Sequence, residues 1–528
     1  MRRLNANRVA EQKRFIDDMS RGNGCRISIV SLYNTENTSI RYFIPMLKRA
    51  GHQVQVIYFR DYYVNDACVH TETDERLFIE VMTAFRPDLV AFSIGSSTFC
   101  HVGERLTRCV REHIDTRILW GGVHAMVTPD EAIQHADMVC LGEGELALLE
   151  LARAIADKRP VDSIRNLWVR TPDGIKQNPT RPPLEDLDIL PVPDYSDENK
   201  FFIKNALIPG DPTRDVTWQY LAQASRGCPF SCSFCMNSVL KPIFTGRTLR
   251  RRSVDSILAE LQAVLKQLPN VGALFFIDEV FMVDADWIDE FASKYPQTVH
   301  LPFGVYNTPG LTEDYLLKKL KTAGLFEVEV GIQSGSDRIR KDVFHRSATN
   351  AQILSASRAA HRYGIDLKFD LIFDNPFETD DDRKDLFELL MQIPAPFEFS
   401  SFSLVWFPRV PLTAMALQQG IITENDIEDR SNKAFTQWAV SLEYPRPVNE
   451  LYWITLCMLT GKPWIPPRLV RWLSHREAIR RKPQILQPLL RFNTLLRWVL
   501  KGIPVLFRGQ VPWAIIRKRW RYMIMAMK

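Results

Sequence analysis

This chain of 528 residues lacks an apolar run long enough to cross a bilayer, and it lacks internal repeats and low-complexity segments. A spanning helix needs about 20 consecutive apolar residues. The charged opening MRRLNANRVAEQKRF has no apolar stretch behind it, which is unlike a secretory signal. The hydrophobic fraction of 46% and the charged fraction of 24% are typical of globular proteins. We therefore expect a cytoplasmic protein of roughly three domains, at about 150 residues per domain.

Cysteine is scarce, with nine residues in the whole chain. In the cytoplasm thiols stay reduced, so no disulfide framework is expected. Three cysteines, Cys228, Cys232 and Cys235, lie within eight residues, which requires a specific explanation. For the other six we expect the role of a small buried hydrophobic side chain. These six are Cys25, Cys68, Cys100, Cys109, Cys140 and Cys457.

Acidic residues are nearly absent from the end of the chain. Residues 461–528 contain sixteen Lys or Arg against one acid, Glu477, so this segment carries +15 and the rest carries −10. Its basic residues alternate with Trp and long aliphatic residues. Two interpretations stay open: a helical cap with its arginines in solvent, or a surface helix on anionic lipid. No nucleic acid partner is expected, because no recognised RNA-binding motif accompanies the aromatic residues.

The first part of the chain alternates strand-like apolar runs with amphipathic helical patterns such as 40–51 and 73–85. The strand-like runs are 26–33, 54–59, 89–95, 117–122 and 138–144. This alternation predicts a doubly wound parallel sheet, which binds ligands beyond the carboxyl ends of its strands. Small residues at these ends either let a bulky ligand approach the backbone or only make tight turns. They occur in Gly95-Ser96-Ser97, Gly121-Gly122-Val123-His124 and Gly142-Glu143-Gly144-Glu145.

A proline-rich stretch, 181–195, predicts an extended linker. From about residue 215 the alternation resumes, with helical patterns such as 253–268 and 312–324. Six βα units in about 200 residues predict an open or partial barrel, whose chemistry lies at the carboxyl ends of the strands. The six strand-like runs are 216–225, 273–280, 302–308, 326–334, 366–374 and 399–407.

The clustered cysteines follow the first of these runs in the sequence SRGCPFSCSFC, residues 225–235. Three thiolates in one loop can hold three irons of a cubane cluster. With no fourth cysteine nearby, one iron stays open to another ligand. A structural zinc is the main alternative, but it normally takes four protein ligands. Cys-x3-Cys-x2-Cys with an aromatic residue, Phe234, before the last cysteine resembles the signature of the radical S-adenosylmethionine (SAM) superfamily.

This resemblance implies a [4Fe–4S] cluster on Cys228, Cys232 and Cys235, with SAM chelated by the open iron. Asp278 to Phe281 (DEVF), Gly331 to Ser336 (GIQSGS) and Asp370 to Pro376 (DLIFDNP) resemble further SAM-binding segments of the family. In the last of these, Asp374-Asn375 departs from the Gly-Pro-Gly turn of many relatives, which leaves the adenine contacts open. The resemblance thus implies SAM-binding roles for Phe234, Asp278, Glu279, Gln333, Ser334 and Asp370.

The first domain is similar to the cobalamin-binding domain of cobalamin-dependent radical SAM enzymes, on the strength of its GGVH and GEGE segments. The loop at 33–38 (YNTENT) lacks the histidine that ligates cobalt in cobalamin mutases, so we expect cobalamin with no histidine below the cobalt. His101 and His124 are more simply loop or packing residues than cobalt ligands. The resemblance implies cobalamin-binding roles for Ser96, Ser97, Gly121, Gly122, His124, Gly142, Glu143 and Gly144.

The implied activity is methyl transfer to an unactivated carbon through a 5′-deoxyadenosyl radical and methylcobalamin. The substrate is expected to be a small or lipid-like molecule, and the electron donor an external protein of the flavodoxin or ferredoxin type. Ring formation or oxidation without methyl transfer, as in the anaerobic tetrapyrrole cyclase, is an alternative within the family. An iron–sulfur sensor without radical chemistry is an alternative outside it.

We therefore expect an α/β chain with a Rossmann-like, doubly wound cobalamin-binding domain and a TIM-like, partial (βα)6 radical SAM barrel. A mainly helical, basic C-terminal region is expected to follow, with a cytoplasmic location and contact at the inner membrane surface as one option. The predicted segments are an N-terminal lead (1–23), the cobalamin-binding domain (24–157), the linker (158–214), the radical SAM domain (215–415) and the C-terminal region (416–528).

Overall fold

The computed structural model describes residues 2–19, 24–62, 70–244, 249–427, 440, 445–493 and 495–496. The chain divides into two compact units, each with its own mainly parallel sheet. The first unit contains residues 1–214, 225–268 and 405–436. The second contains residues 215–224, 269–404 and 437–528.

The sheet of the first unit consists of β1 (Arg26–Leu32), β2 (Gln53–Phe59), β3 (Leu89–Ser93), β4 (Arg117–Gly121), β5 (Met138–Cys140), β6 (Leu167–Thr171), β7 (Gly174–Gln177), β8 (Lys200–Ile203) and β9 (Leu207–Pro209). Five parallel strands form its centre in the order β5-β4-β3-β1-β2. In this doubly wound order the strand sequence reverses between β1 and β3, and ligands bind beyond the carboxyl ends near such a point. The predicted Rossmann-like sheet is confirmed.

The helices of this part are α1 (Arg2–Met19), α2 (Thr38–Arg49), α3 (Glu72–Phe85), α4 (Cys100–His113), α5 (Val123–Val127), α6 (Pro129–His135) and α7 (Glu145–Ala156). Successive side chains of a strand point to opposite faces, so the sheet buries two cores. Ile27 packs with apolar residues of α2 and α7, and Val30 packs with those of α3 and α4. Helix α3 begins where Thr71 and Asp74 form a capping box.

Residues 158–214, predicted as a linker, contribute four strands, β6 to β9, to the sheet of the first unit. The proline-rich part, 181–195, contains no strand and no α-helix. The prediction missed β7 because it has no buried face: every residue of this strand is exposed. Lys200 in β8 is buried as an ion-pair partner, with its Nζ 3.1 Å from Asp211 Oδ2. The linker is therefore corrected to an extension of the first sheet, and the other domain boundaries stay predictions.

Residues 215–268 contain β10 (Gln219–Ala222), β11 (Ser225–Arg226), α8 (Asn237–Leu240), β12 (Arg250–Arg251) and α9 (Val254–Gln267). Strand β10 belongs to the second unit, whereas the elements from β11 to α9 belong to the first. β11 and β12 pair in antiparallel fashion. This pair closes the base of the segment that carries the clustered cysteines.

The rest of the chain contains β13 (Ala273–Phe276), α10 (Ala285–Thr298), β14 (Phe303–Asn307), α11 (Asp314–Ala323), β15 (Leu325–Gln333), α12 (Asn350–Arg362), β16 (Asp366–Phe373), α13 (Asp380–Leu390), β17 (Glu398–Ser403), α14 (Pro411–Gln418), α15 (Val448–Leu459), α16 (Pro467–Leu473) and α17 (Glu477–Arg481). The sheet of the second unit has the order β10-β13-β14-β15-β16-β17, and each neighbouring pair is parallel. Within the described residues β17 does not pair with β10, so the sheet stays open. The predicted partial (βα)6 barrel is confirmed.

The C-terminal region is mainly helical in its described part, as predicted. α15 packs against α13, where the Trp453 Nε1–H donates to Asp380 Oδ1 at 2.8 Å and the Trp453 ring lies beside Phe387. Residues 497–528 lie outside the described residues. Among the helices that are described, none combines the length and the apolar character that a bilayer crossing requires.

The scattered cysteines behave as predicted where the structure describes them. Cys25, Cys100, Cys109, Cys140 and Cys457 are all buried. The sixth, Cys68, lies outside the described residues.

Candidate functional site

The cysteine loop, residues 227–244, begins directly after β11. Gly227 has φ +92°, a backbone conformation that favours glycine. The Cys235 N–H donates to the Cys232 carbonyl oxygen at 3.1 Å, which turns the chain between these two cysteines. Cys232 is buried, whereas Cys228 and Cys235 are half-buried. The donor set of three thiols in one short turn fits a cubane cluster with one open iron.

Two further contacts fix the cysteine loop inside the first unit. The Ser238 hydroxyl donates to the Cys235 carbonyl oxygen at 2.6 Å. The Leu412 N–H, in α14, donates to the Ser233 carbonyl oxygen at 2.9 Å. Ser233 is fully buried, and Phe234 beside it is half-buried. The backbone that presents the thiols is thus held by hydrogen bonds rather than exposed as an open loop.

The base of the cysteine loop is ion-paired to the loop between β5 and α7. Arg226 Nη1 lies 3.1 Å from Glu143 Oε1, and Arg226 Nη2 lies 2.8 Å from Glu145 Oε1. Arg250, on the partner strand β12, reaches the same Glu143 Oε1 at 2.8 Å. We call Arg226, Arg250, Glu143 and Glu145 the arginine clasp. It joins the GEGE segment and the cysteine loop within one compact unit.

Burial would raise the pKa of the Glu143 carboxyl, but Arg226 and Arg250 outweigh it and the pKa is lowered. Glu143 Oε2 also accepts the Leu184 N–H at 2.7 Å. The predicted cobalamin role of Glu143 therefore falls on a carboxylate whose two oxygens already have partners. Sequence reasoning missed Arg226 and Arg250, because neither stands in a recognised motif position and their acidic partners are about 100 residues away.

The structure brings the predicted cobalamin-binding residues of β3 and β4 together. His124 Nδ1 lies 3.1 Å from Ser97 Oγ, and the His124 ring is buried at 1% exposure. The Ser96 hydroxyl accepts the Thr98 N–H and caps the short helical turn that follows. Gly122 has φ +95°, and a Cβ there would lie 2.5 Å from the Ile94 carbonyl oxygen, so only glycine fits.

The remaining predicted cobalamin-binding residues are glycines at the same edge of the sheet. Gly121 is the last residue of β4, Gly142 follows β5 with φ +79°, and Gly144 precedes the first turn of α7. At the end of β1 the Asn37 side-chain amide donates to Ser93 Oγ at 3.0 Å. The strand ends on both sides of the β1–β3 switch point are thus small or polar, as a doubly wound ligand site requires.

In the second unit, the two acids after β13 have different surroundings. Asp278 is fully buried, and its Oδ2 accepts the Ala224 N–H at 3.0 Å. Glu279 is exposed. Of these two predicted SAM-binding acids, Asp278 fixes the backbone at the end of the β10 segment, and Glu279 is the more exposed.

The end of β15 is a strained turn. Gln333 has φ +70°, and the buried Ser334 hydroxyl donates to Glu378 Oε1 at 2.8 Å. A Cβ on Gly335 would lie 2.2 Å from the Leu386 Cα, which explains glycine at this position. Burial raises the pKa of Glu378 to about 7. The GIQSGS segment is therefore fixed by buried contacts, with Gln333 held in a left-handed conformation that non-glycine residues adopt only at some cost.

Asp370 lies on β16 beside an acid of the neighbouring strand β15. Burial, followed by the hydrogen bond and charge of Glu329, raises the pKa of Asp370 to about 8. Asp370 Oδ1 is buried, and no described residue forms a hydrogen bond with it. Lys368 Nζ lies 2.9 Å from Glu329 Oε2. The pair can therefore hold a proton on Asp370 at neutral pH.

The departure at Asp374-Asn375 has a structural counterpart. Asp374 has φ +57°, and its carboxylate is bound by Arg446, with Nε at 2.5 Å from Oδ1 and Nη2 at 2.9 Å from Oδ2. The Ser403 hydroxyl also donates to Asp374. A bidentate ion pair thus occupies the place of the glycine turn in this chain. The sequence did not reveal Arg446, which lies more than 70 residues downstream.

Two family models match the chain. Residues 223–390 match the model described as Radical SAM superfamily, and residues 26–152 match the model described as B12 binding domain. The first match covers the cysteine loop and the strand ends from β13 to β16. The second covers β1 to β5 and the helices between them.

Two curated relatives are similar over much of the chain. An uncharacterized methyltransferase of Pyrococcus horikoshii is 24% identical over 307 residues, which cover 57% of this chain and 63% of the relative. The anaerobic magnesium-protoporphyrin IX monomethyl ester cyclase of Rubrivivax gelatinosus is 26% identical over 343 residues, which cover 62% of this chain and 56% of the relative. The match spans less than two thirds of each relative's length.

Among solved structures, the radical SAM methyltransferase TsrM from Kitasatospora setae, with cobalamin and a [4Fe–4S] cluster bound, has the same fold. The TM-score is 0.61 at 18% sequence identity, and the match covers 75% of this chain and 78% of TsrM.

Proposed function

The chain belongs to the cobalamin-dependent radical SAM enzymes, and on this basis we propose that it transfers a methyl group to an unactivated carbon. The observation that carries the proposal is the arginine clasp. It holds the cysteine loop and the GEGE loop of the B12-binding domain in one compact unit through buried ion pairs.

The proposed roles follow the sequence expectations. Cys228, Cys232 and Cys235 hold the cluster. When bound, the cluster and one SAM would supply a 5′-deoxyadenosyl radical that removes hydrogen from carbon, and cobalamin would transfer the methyl group that it takes from a second SAM. SAM contacts are assigned to Phe234, Asp278, Glu279, Gln333, Ser334 and Asp370. Cobalamin contacts are assigned to Ser96, Ser97, Gly121, Gly122, His124, Gly142, Glu143 and Gly144.

Among the residues assigned above, we expect exposed side chains to contact a cofactor and buried side chains to position the backbone. The exposed Glu279 carboxylate suits the ammonium group of SAM. The buried Asp278 positions the backbone of Ala224, and Ser334 is held by Glu378. Asp370 keeps its proton at neutral pH because its pKa is raised to about 8, so it can donate a hydrogen bond. His124 would contribute through its backbone, because its ring is buried.

The test is an anaerobic assay with SAM that carries a deuterated methyl group. We expect 5′-deoxyadenosine and a product that contains the label. Cys232→Ala should abolish both, whereas Cys25→Ala, which changes another buried cysteine of the same unit, should retain them. Corrinoid absorbance should accompany protein purified from cobalamin-fed cells. A protein that is fully active without corrinoid would contradict the two-cofactor proposal.

Two alternatives are outcomes of the same assay. Radical cleavage of SAM with an unlabelled, cyclised or oxidised product would favour a cyclase, the activity named for the Rubrivivax relative. An intact cluster that never cleaves SAM would favour an iron–sulfur sensor. A reduced flavodoxin or ferredoxin should replace a chemical reductant, as expected for an enzyme that takes single electrons from outside.

We further propose that the basic C-terminal region contacts a membrane surface and that the substrate is lipid-like. Within the described residues, Trp472 is 52% exposed and Phe492 is 57% exposed, and Arg476 lies 4.0 Å above the Trp472 ring. Exposed aromatic residues beside arginines are typical of helices that lie on anionic lipid. Arg468 and Arg471 border the same open groove as Trp472.

Vesicle sedimentation tests this membrane contact. The holoenzyme should bind vesicles that contain phosphatidylserine and should not bind vesicles of phosphatidylcholine alone. The double variant Trp472→Ala and Phe492→Ala should lose binding. Ile175→Ala with Ile208→Ala, which removes two exposed apolar side chains from the first unit, is the matched control and should retain it. Equal binding of both vesicle types would contradict the proposal.

A further inference from the structure

Three potential metal ligands meet at the carboxyl edge of the first sheet. Cys100 is the first residue of α4, His124 lies in α5, and Glu131 lies in the first turn of α6. One donor atom from each lies within 4.8 Å of the other two. Cys100 Sγ is 3.6 Å from Glu131 Oε1. The fold therefore places a thiol, an imidazole and a carboxylate from three separate helices at one point.

The hydrogen bonds of the His124 ring resemble those of a metal-binding histidine. Its Nδ1 lies 3.1 Å from both the Ser97 and the Thr128 hydroxyls, which fixes the ring. Its Nε2 is buried and has no hydrogen-bond partner among the residues that the structure describes. Buried polar atoms nearly always have a partner, so an unpaired ring nitrogen in a side chain that is 1% exposed points to a missing ligand.

The charges around Cys100 also favour a cation. A second carboxylate, Glu104, lies 3.9 Å from Cys100 Sγ, and its own partner is His135 Nε2 at 3.0 Å. Within the described part of the chain, neither Glu104 nor Glu131 forms an ion pair with a lysine or arginine. Two carboxylates beside a thiol repel one another unless a cation lies between them.

We propose that Cys100, His124 and Glu131 bind a zinc ion, with water as the fourth ligand. Sulfur, imidazole and carboxylate are the ligand types of zinc sites. Bonds of about 2.3 Å to sulfur and about 2.0 Å to oxygen at a tetrahedral angle place those atoms about 3.5 Å apart. The separation of 3.6 Å in this structure matches that value. Binding replaces the thiol proton of Cys100, which passes to solvent, and no electron is transferred.

The ion would lie at the edge that carries Ser96, Ser97 and Gly122. It would use the His124 ring and leave the neighbouring backbone for cobalamin. This proposal does not depend on the proposed methyl transfer, and its test does not measure turnover.

The experiment uses the full chain in which Cys228, Cys232 and Cys235 are all replaced by Ser, so that the cluster thiols cannot hold zinc. After equilibration with zinc and desalting, elemental analysis should give about one zinc per chain. X-ray absorption at the zinc edge should show one sulfur neighbour at about 2.3 Å and nitrogen or oxygen neighbours at about 2.0 Å. A spectrum with two or more sulfur neighbours, or no retained zinc, would overturn the proposal.

Variants in this background assign the ligands. Cys100→Ser should lose zinc, whereas Cys109→Ser, a second buried cysteine of α4, should retain it. Glu131→Gln serves as an independent variant that should fold normally, because Glu131 is exposed. It should weaken zinc binding by at least about 10- to 100-fold, because loss of a residue that only supports a metal ligand already has an effect of this size. Zinc should raise the Tm of the parent and of Cys109→Ser but not of Cys100→Ser. Equal zinc content in all variants would show that the metal does not bind at Cys100 and Glu131.

Discussion

Two acids that the sequence predicts as cofactor contacts, Glu143 after β5 and Asp370 within β16, have opposite surroundings. In the first unit, Glu143 lies between Arg226 and Arg250, and its pKa is lowered despite burial. In the second unit, Asp370 lies beside the acid Glu329, and its pKa is raised to about 8. Membership of a predicted cofactor-binding segment therefore does not decide what an acid does. The charge of its neighbours makes the first a structural anchor and leaves the second able to hold a proton.

The largest expected effect comes from breaking the arginine clasp. Arg226→Met leaves Glu145 without its arginine and Glu143 with Arg250 alone, in a buried setting. Removing one partner of a buried ion pair typically costs about 3–5 kcal/mol. We expect a loss of this size in urea unfolding of the anaerobic holoenzyme, and less iron per chain after reconstitution.

The matched control is Arg214→Met, which breaks an exposed ion pair of the same unit. Arg214 pairs with Asp197, and both side chains are more than 40% exposed. Exposed pairs contribute about 0–1 kcal/mol, so this variant should keep its stability and its iron. If the two variants lose stability equally, the clasp is not the anchor that we infer.

The second test concerns the pH dependence that Asp370 imposes. Its folded pKa of about 8 lies above the ordinary value of about 3.9 for an unfolded Asp. The folded state therefore binds more protons than the unfolded state between these values, and stability falls as pH rises through that window. Asp370→Asn should remove this slope, so the variant should gain stability relative to the parent between about pH 5 and pH 8.5.

Asp366→Asn, an exposed acid on the same strand, is the control for this measurement. Its unfolding free energy should follow that of the parent at both pH values. A parent protein with equal stability at the two pH values would contradict the raised pKa of Asp370 and the contrast with Glu143.

Periodicity sufficed to predict both sheets because buried strands and amphipathic helices repeat with different periods. It did not predict β7 or β8, because β7 has no buried residue and Lys200 supplies charge rather than apolar surface at the start of β8. Strand signals of this kind depend on partners elsewhere in the chain. Such partners are set by the fold and not by local sequence.

In the candidate site, too, local patterns could be predicted from the sequence and long-range contacts could not. Three cysteines within eight residues are a local pattern, so the cluster ligands could be predicted from spacing. The clasp joins Glu143 to Arg226 and Arg250 across about 100 residues of chain, and the pair of Asp374 with Arg446 spans more than 70. Long-range ion pairs leave no spacing signal in one sequence. For the same reason the proposed zinc ligands Cys100 and His124 read as unrelated buried residues.

The smallest expected effect separates the adjacent acids Asp278 and Glu279, which share one motif and differ in burial. Asp278→Ala leaves the Ala224 N–H buried without its acceptor, and we expect a loss of about 1–3 kcal/mol in unfolding free energy. Glu279→Gln changes an exposed side chain and should alter stability by less than about 0.5 kcal/mol. Its effect should instead appear in SAM binding, where loss of a charge-assisted hydrogen bond worth about 1.4 kcal/mol raises the Kd about tenfold. Anaerobic titration calorimetry with SAM measures this change. The contrary result is that Glu279→Gln binds SAM as tightly as the parent while Asp278→Ala does not. In that case the buried Asp278 contacts SAM, and our inference that the exposed acid does so is wrong.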